Sequence, residues 1–370
     1  MKILYVTTVG GTMRFFENFI SDLIDAGHTV DIMCNEAVSK VPDIYKNREC
    51  KIYHHSATRK PLSKGTLRTV KEIKELIAKN QYDIVHCHTP IAAACTRLAC
   101  KSDRKHGLKV FYTAHGFHFY KGAPIKNWLL YYPIEKVCSY FTDVLITINK
   151  EDYDFSCHKL NAKHSEYVPG VGIEVQAIRN KEVDYVAKRR EIHVPLEAFL
   201  MLSVGELNRN KNHEVVIRAL AEMKNEKVHY AIAGRGGLAE YLVQLSEKLG
   251  VAKQVHVLGY RTDIAELYKV ADLCCFPSIR EGLGLAAIEG MAVGLPLIVS
   301  DNRGTRAYAE NDINAIVCSP RDIDAWKQGI ERLVHDSELR LSMGIRNRDI
   351  AEQYDVTIIN IKMEEIYGLQ

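Results

Sequence analysis

Two glutamates, Glu281 and Glu289, flank the turn Gly282-Leu283-Gly284 and the small-residue run Leu285-Ala286-Ala287-Ile288. The glycines admit positive φ and a close approach of backbone to a ligand. A helix opening near Leu283 presents free N–H groups and the positive end of its dipole, which together make a seat for phosphate. Glu281 then lies in the loop beside the anion. Glu289 lies in the second turn, within reach of a more distant part of the same ligand. Carboxylates accept hydrogen bonds from hydroxyls, so a pair of them around a phosphate seat suits a polyhydroxylated phosphate ester such as a nucleotide sugar. The plainer alternative is a surface Glu and a helix-face Glu with no shared ligand. The glycines and the strand-like run 271–278 just before them favour a site.

Other residues could contribute chemistry. His115, in Thr113-Ala114-His115-Gly116, follows the apolar run 109–113 and so falls at the carboxyl end of a strand, where a cleft residue belongs; His118 follows three positions later. A neutral imidazole can donate and accept there. His86 and His88 would share one face of a strand, but a metal needs about four ligands and no partner cluster stands out. Gly10-Gly11 follows a first apolar run and opens a helix; it is not GxGxxG and serves equally as a tight strand–helix turn.

The elements that must hold these residues alternate. Strands are predicted at 2–8, 30–34, 83–87, 109–113 and 143–148, with a helix at 12–26 whose stripe is Phe15, Phe16, Phe19, Ile20, Leu23 and Ile24, ending at Gly27. A second series follows Pro169-Gly170, with strands at 199–204, 228–233, 254–258, 271–276 and 296–300. Its helices are predicted at 212–224, 237–249, 263–270, 284–293 and 323–335, and a last helical stretch, 340–366, breaks near Tyr354-Asp355. Continuous apolar strands alternating with helices imply parallel, doubly wound sheets in two Rossmann-like α/β halves, with ligands at the carboxyl ends of strands and a cleft between the halves.

Composition agrees. A chain of 370 residues, 47% hydrophobic and 26% charged, is of two-domain length and globular make-up. No run reaches the roughly 18 apolar residues of a membrane span, and the short N-terminal apolar run, broken by Thr7 and Thr8, reads as a buried strand rather than a leader. The ten cysteines show no CxxC pairing and read as free, buried thiols of a cytoplasmic chain. Residues 1–170 hold 24 Lys and Arg against 17 Asp and Glu, while 171–370 hold 25 against 29. Within Lys51–Lys109 the basic residues number 13 and the acidic ones 4, with Arg59, Lys60, Lys64, Arg68, Lys71, Lys74 and Lys79 carrying much of the excess. A helix at 67–79 places Val70, Ile73, Leu76 and Ile77 on one face and bases elsewhere. That surface is either simply solvated or a patch for anionic lipid or a diphosphate-linked acceptor. It lacks the interleaved aromatics and motifs of a nucleic-acid binder.

Glu281 to Glu289, set in Phe-Pro-Ser-x-x-Glu-Gly-Leu-Gly and followed by Met-Ala-x-Gly-x-Pro, resembles the E-x7-E motif of retaining glycosyltransferases of family GT4, which have the GT-B architecture; the likeness extends over nearly the whole chain. The resemblance implies an N-terminal acceptor-side domain at 1–170, a nucleotide-sugar-binding domain at 171–354, and a closing segment at about 355–370 that returns to the first domain. It implies that Gly10 and Gly11 lie against the donor diphosphate and that His115 orients the donor sugar. Glu281 would hold sugar hydroxyls near the anomeric carbon and Glu289 would accept from the ribose, with Gly282, Leu283, Gly284 and Leu285 forming the phosphate-facing helix start. Val204-Gly205-Glu206-Leu207-Asn208-Arg209-Asn210-Lys211-Asn212 is similar to the family's V-G-R-L-x-x-x-K-G. Gly205 and Lys211 match, and Lys211 is implied as a cationic clamp on the leaving diphosphate. The family arginine is Glu206 here and its second glycine is Asn212; Arg209 is a candidate for the missing charge. Gly234 and Gly236 match the family's G-x-G turn near the nucleotide, and Tyr260 and Arg261 follow the glycine whose neighbours read the base through the main chain.

The function so implied is transfer of a sugar, with retention and without metal or other cofactor, from a UDP-sugar or related donor. The segment from Phe117 to Lys136 resembles the branch that builds bacterial exopolysaccharide or capsule on undecaprenyl-diphosphate-linked saccharides. That implies a cytoplasmic protein peripheral on the anionic inner membrane face. Two other classes stay open on sequence alone: a GT-B-like NDP-sugar epimerase, and a nucleotide-sugar-binding subunit without turnover, the latter suggested by Glu206.

Overall fold

The computed structural model describes residues 1–58 and 63–369; Arg59 and Lys60 of the basic stretch lie outside them. The chain divides into two compact units. One comprises Met1–Val171 together with the segment from Asn360 onward, and the other comprises Gly172–Ile359.

The first unit carries seven strands: β1 (Lys2–Val9), β2 (Thr29–Asn35), β3 (Ile52–His54), β4 (Ile84–His88), β5 (Lys109–Ala114), β6 (Val144–Thr147) and β7 (His164–Tyr167). They form one parallel sheet in the order β3-β2-β1-β4-β5-β6-β7. β1, β4 and β5 are buried almost throughout, because helices cover both faces of a parallel sheet and each strand must be apolar on both sides. The short edge strands β3 and β7 were not predicted. Ile52-Tyr53-His54 and His164-Ser165-Glu166-Tyr167 are partly exposed and have no apolar run to mark them. The helices Pro90–Ala99, Ile125–Ser139 and Lys150–Lys159 also went unpredicted.

The predicted helix at 12–26 is two pieces, a 3₁₀ helix Gly10–Phe16 and an α-helix Glu17–Asp25. The tighter winding aligns residues three apart. Met13 and Phe16 therefore face inward, at 0% and 7% exposure, while Phe15 leaves the expected apolar stripe and is 51% exposed. The helix does end at Gly27, with φ +83°. The basic helix runs Lys64–Asn80, with the Ser63 side chain accepting from the Thr66 N–H as its N-cap.

The second unit carries β8 (Phe199–Val204), β9 (Val228–Ala233), β10 (Val255–Gly259), β11 (Leu273–Phe276), β12 (Leu297–Ser300) and β13 (Ala315–Cys318), all parallel, in the order β10-β9-β8-β11-β12-β13. Its core gathers Met201, Val216, Leu220, Tyr230, Ile298, Trp326 and Ile330. Both units are thus doubly wound, with β1 beside β4 and β8 beside β11 where the strand order reverses. The final helix, Val356–Tyr367, brings the chain back to the first unit. There Asn360 donates to Asp22 at 2.6 Å, and Tyr367 is buried against His86 and Tyr5. All ten cysteines are free, and Cys157 alone of them is exposed. Among the described residues no helix is long and apolar enough to cross a membrane.

Helix Pro90–Ala99 is tied to helix Ile125–Ser139 by a fully buried bidentate pair. Arg97 donates to the two carboxylate oxygens of Glu135 at 2.8 and 3.0 Å, and its guanidinium lies 4.1 Å from the centre of the Tyr112 ring. Removing one member of such a pair strands a charge in low dielectric, at a cost of about 3–5 kcal/mol. Arg97→Met is accordingly expected to lower the unfolding free energy by that amount, read as a lower urea midpoint at unchanged slope. A midpoint within experimental error of wild type would show that the pair contributes nothing to stability.

Candidate functional site

In the second unit the loops that leave β8 and β11 lie side by side at the topological switch point, where open α/β sheets bind ligands. They are laced together. Ile279 donates its N–H to the Asn210 carbonyl at 2.8 Å, and the Asn210 amide donates to the Arg280 carbonyl at 2.9 Å. The Asn212 amide donates to the carbonyls of Pro277 (3.2 Å) and Pro320 (2.7 Å). Asn212 sits at φ +55°. Asparagine enters this left-handed region more readily than most side chains. Lys211, fixed by an N–H bond to Asn208 Oδ1 at 3.0 Å, reaches across so that Nζ meets Glu281 Oε1 at 2.8 Å and lies 5.1 Å from the centre of the Phe276 ring. The predicted cation and the first glutamate are therefore one ion pair, partly accessible on both sides.

Glycines let these loops touch. A Cβ on Gly234 would lie 1.8 Å from the Gly205 carbonyl oxygen, and one on Gly236 would lie 2.4 Å from that of Leu207. One on Gly304, in the loop after β12, would lie 2.8 Å from Glu281 Cβ and 3.0 Å from the Leu283 nitrogen. The loop 302–305 was not singled out from sequence. It holds itself by Asn302 Oδ1 accepting from the Gly304 and Thr305 N–H groups, and it grips the β11 loop by the Asn302 amide on the Ser278 carbonyl at 2.9 Å.

Gly284, at φ +98°, starts helix Leu285–Val293 with no side-chain cap; the Ala287 N–H is taken by the Gly284 carbonyl at 3.0 Å, and those of Leu285 and Ala286 precede it. Tyr308 Oη and Ser278 Oγ, both buried in this neighbourhood, lack hydrogen-bond partners among the described residues. Glu289, in the second turn of that helix, has its carboxyl pushed up to about 7 by burial, partly offset by a hydrogen bond to Tyr268.

Among the described residues, no hydrogen bond or ion pair joins Arg209, Tyr260 or Arg261 to Lys211 or Glu281. Arg209 is exposed and lines a cavity of about 310 Å³ with Asn208, Asn212, His213, Glu214 and Tyr241, a lining that does not include Lys211. Tyr260 is largely exposed, with the Arg235 guanidinium 4.9 Å from its ring centre. Arg261 is held by Asp263 and Glu191, so its side chain is already engaged.

In the first unit, Gly10 and Gly11 meet the segment 39–41. A Cβ on Gly10 would lie 2.6 Å from the Ser39 carbonyl oxygen, and the Gly11 N–H donates to Ser39 Oγ at 2.7 Å. These glycines thus have a packing reason of their own, and the Gly11 N–H is taken. His115 follows β5, and its Nε2 lies 3.2 Å from Nδ1 of His88, which ends β4. Burial lowers His115 to about 4 and His86 to about 3, so both rings are neutral near pH 7. A cavity of about 250 Å³ opens beside the ends of β1 and β4, lined by Thr8, Thr12, Thr89, His118 and Tyr131 among others. Among the described residues no three His, Cys, Asp or Glu side chains are grouped to hold a metal ion.

Two family models match the chain: "Glycosyl transferase 4-like" over residues 2–149 and "Glycosyl transferases group 1" over 185–349. A putative glycosyltransferase of Bacillus subtilis, EpsD, is 39% identical over 320 residues, covering 84% of this chain and 82% of that protein. The Escherichia coli UDP-Gal:alpha-D-GlcNAc-diphosphoundecaprenol alpha-1,3-galactosyltransferase is 27% identical over 311 residues, 81% of this chain and 79% of its own. Among solved structures, Anabaena HepE in complex with UDP superposes with a TM-score of 0.82 at 18% identity, with both chains wholly covered. WaaG, a glycosyltransferase involved in lipopolysaccharide biosynthesis, gives 0.77 at 19%, covering 98% of this chain and 99% of that one. At such identities the structural likeness shows the GT-B fold alone.

The Glu289 carboxyl has a testable signature. With a folded value of about 7 against an ordinary 4.5, the folded state holds this proton more tightly than the unfolded state does. The stabilisation it gives is full below the ordinary value and is lost as pH rises through the folded one. Urea unfolding of the free protein should therefore show wild type losing stability relative to Glu289→Gln across that window, with a constant difference above it. A difference that stays flat across the window would place the carboxyl at its ordinary value.

Proposed function

The chain belongs to the GT4-like glycosyltransferases of GT-B fold, and on that premise we propose that it moves a sugar, with retention at the anomeric carbon, from a UDP-sugar to a lipid-diphosphate-linked saccharide in exopolysaccharide or capsule synthesis. The observation that carries this reading is the Lys211–Glu281 ion pair at 2.8 Å, set in the loops astride the switch point, beside the uncapped helix start at Leu285. A diphosphate seated on that helix start would meet the Lys211 ammonium, and the attached sugar would meet Glu281. Lys211 and the first N–H groups of that helix would then stabilise the charge that grows on the leaving diphosphate. Glu281 would accept from sugar hydroxyls, and Glu289 from the ribose. In the retaining reaction the C–O bond to the diphosphate breaks as the acceptor oxygen bonds on the same face, and the departing phosphate oxygen takes the acceptor's proton. His115 would orient the sugar.

The relative from Escherichia coli named for a diphosphoundecaprenol acceptor supports the lipid-linked acceptor. The surface of helix Ile125–Ser139 supports engagement of an anionic membrane face. Ile125, Leu129, Leu130, Ile134 and Val137 are exposed along it, flanked by Lys121, Lys126 and Lys136, while Glu135, the one carboxylate on the helix, is buried on Arg97. Exposed apolar side chains bordered by cations suit an element lying in a bilayer interface. The same helix supplies Tyr131 to the cavity at the ends of β1 and β4.

The test is a transfer assay with nucleotide sugars and polyprenyl-diphosphate saccharides, run in anionic vesicles and in detergent. Lys211→Ala should slow turnover by about 10²-fold or more in both, the scale of removing one charge-stabilising donor, whereas Leu129→Asp should slow it in vesicles only. Absence of transfer with every donor, or epimerised sugar from the donor alone, would overturn the reading. Calorimetric titration of UDP separates the glutamates. Glu289→Ala should weaken UDP binding, and Glu281→Ala should leave it nearly intact while lowering transfer. The reverse result would mean that the ligand lies the other way round.

A further inference from the structure

Beneath His115 the polar groups of the first unit have a direction that can be followed proton by proton. Tyr367 donates its hydroxyl proton to Tyr5 Oη at 3.0 Å, so its oxygen receives the Nδ1–H of His86 at 2.6 Å. His86 Nε2 is then a lone pair that accepts from Thr113 Oγ1 at 2.8 Å. His88 lies beside this array. Its ring centre is 4.2 Å from those of His86 and Phe16 and 5.5 Å from that of Tyr5, at interplanar angles of 39°, 31° and 16°. These are face contacts, so no aromatic face is placed to receive an N–H lying in the His88 plane.

The His88–His115 contact leaves two assignments. If His115 Nε2 carried the proton and donated to His88 Nδ1, the neutral His88 would keep its own proton on Nε2. That atom is buried and has no partner, and a buried N–H without an acceptor is among the rarest and costliest of unpaired groups. If His88 carries its proton on Nδ1, that proton goes to His115 Nε2 and the partnerless atom is only a lone pair. Burial keeps both rings neutral, in line with a single shared proton.

We infer that His88 is a positioning residue: by donating Nδ1–H to His115 Nε2, it fixes the proton of His115 on Nδ1, the ring edge away from His88, and so makes His115 a hydrogen-bond donor. His115 Nδ1 has no partner among the described residues. A ring locked in this tautomer recognises an oxygen lone pair, such as a sugar hydroxyl acting as acceptor. It does not accept a proton from the ligand. The consequence for transfer rests on the proposed role of His115 toward the donor sugar; the tautomer itself does not.

The test is ¹⁵N NMR of the histidine-labelled full-length protein near neutral pH, with the His115 signals assigned by their loss in His115→Gln. Protonated Nδ1 and unprotonated Nε2 are expected in wild type, and the opposite pattern would overturn the inference without reference to any activity. Two variants extend it. His88→Phe keeps a stacked ring but removes the donor; it should release the tautomer and lower kcat/KM for the donor by about 10-fold or more, the scale seen when a supporting hydrogen bond is lost. His88→Asn keeps an amide N–H near the Nδ1 position and should restore both readouts toward wild type despite its poorer packing. A Phe variant with wild-type tautomer and kcat/KM, beside an impaired Asn variant, would make His88 a space-filling residue and overturn the inference. Should no donor support transfer, the proposed function fails while the spectra still decide this point.

Discussion

Backbone meets backbone at the carboxyl ends of β8, β9, β11 and β12, at distances no side chain would permit. The Gly205 carbonyl occupies the space a Gly234 side chain would need, and Gly304 fits against Glu281 and Leu283 in the same way. Everything in the second unit's site follows from that stacking. Lys211 can reach Glu281 only because the loops after β8 and β11 are pressed together and laced by Asn210 and Asn212. Helix Leu285–Val293 can begin without a cap because Gly284 turns at positive φ against the Phe276 ring. The sheet supplies the strand ends, and the glycines turn four separate loops into one surface.

The two units handle charge in different ways. At the strand ends of the second unit opposite charges remain near water and neutralise each other, Lys211 on Glu281 and Arg261 on Asp263. Such pairs contribute little to stability and can be reopened by a ligand. In the first unit the titratable groups near the strand ends are buried without counter-ions, and burial holds His86, His88 and His115 neutral. The buried charges there, Arg97 and Glu135, are matched oxygen for nitrogen away from the strand ends. A diphosphate would suit the first kind of environment, and an uncharged hydroxyl-rich group the second.

Much of the fold was legible because long apolar strands and capped amphipathic helices leave a periodic trace. Several elements that escaped had no such trace, though the apolar β13 was also missed. β3 and β7 are short, polar and at sheet edges; helix Ile125–Ser139 is apolar nearly all round and contains Pro133, so it shows no stripe. The split at Phe16 was missed because periodicity at 3.6 residues cannot register a 3₁₀ turn. In the site, Glu281, Lys211 and Gly284 were found through motif and strand position. The loop 302–305 was not, since its contribution is main-chain contact around one glycine. Asn212, a departure from the family pattern in sequence, stands at φ +55°, a left-handed position that its side chain tolerates better than most. Arg209, the sequence's candidate for the charge of the arginine replaced by Glu206, is exposed and lines a cavity with Asn208 and Asn212.

The return of the chain at Asn360 sets an order of assembly during synthesis. On the ribosome, β1 and β4 emerge early, with Tyr5 and His86 among them, but their partner Tyr367 is translated only after the whole of the second unit. The nascent first unit must therefore wait with its seven strands made but the place of its closing helix empty, polar groups meant for burial still wet, while a second sheet is made and folds behind it. Completion is an act of the late segment docking into a slot left open for it, so a stalled or prematurely terminated chain would expose that slot even if its second unit were fully formed.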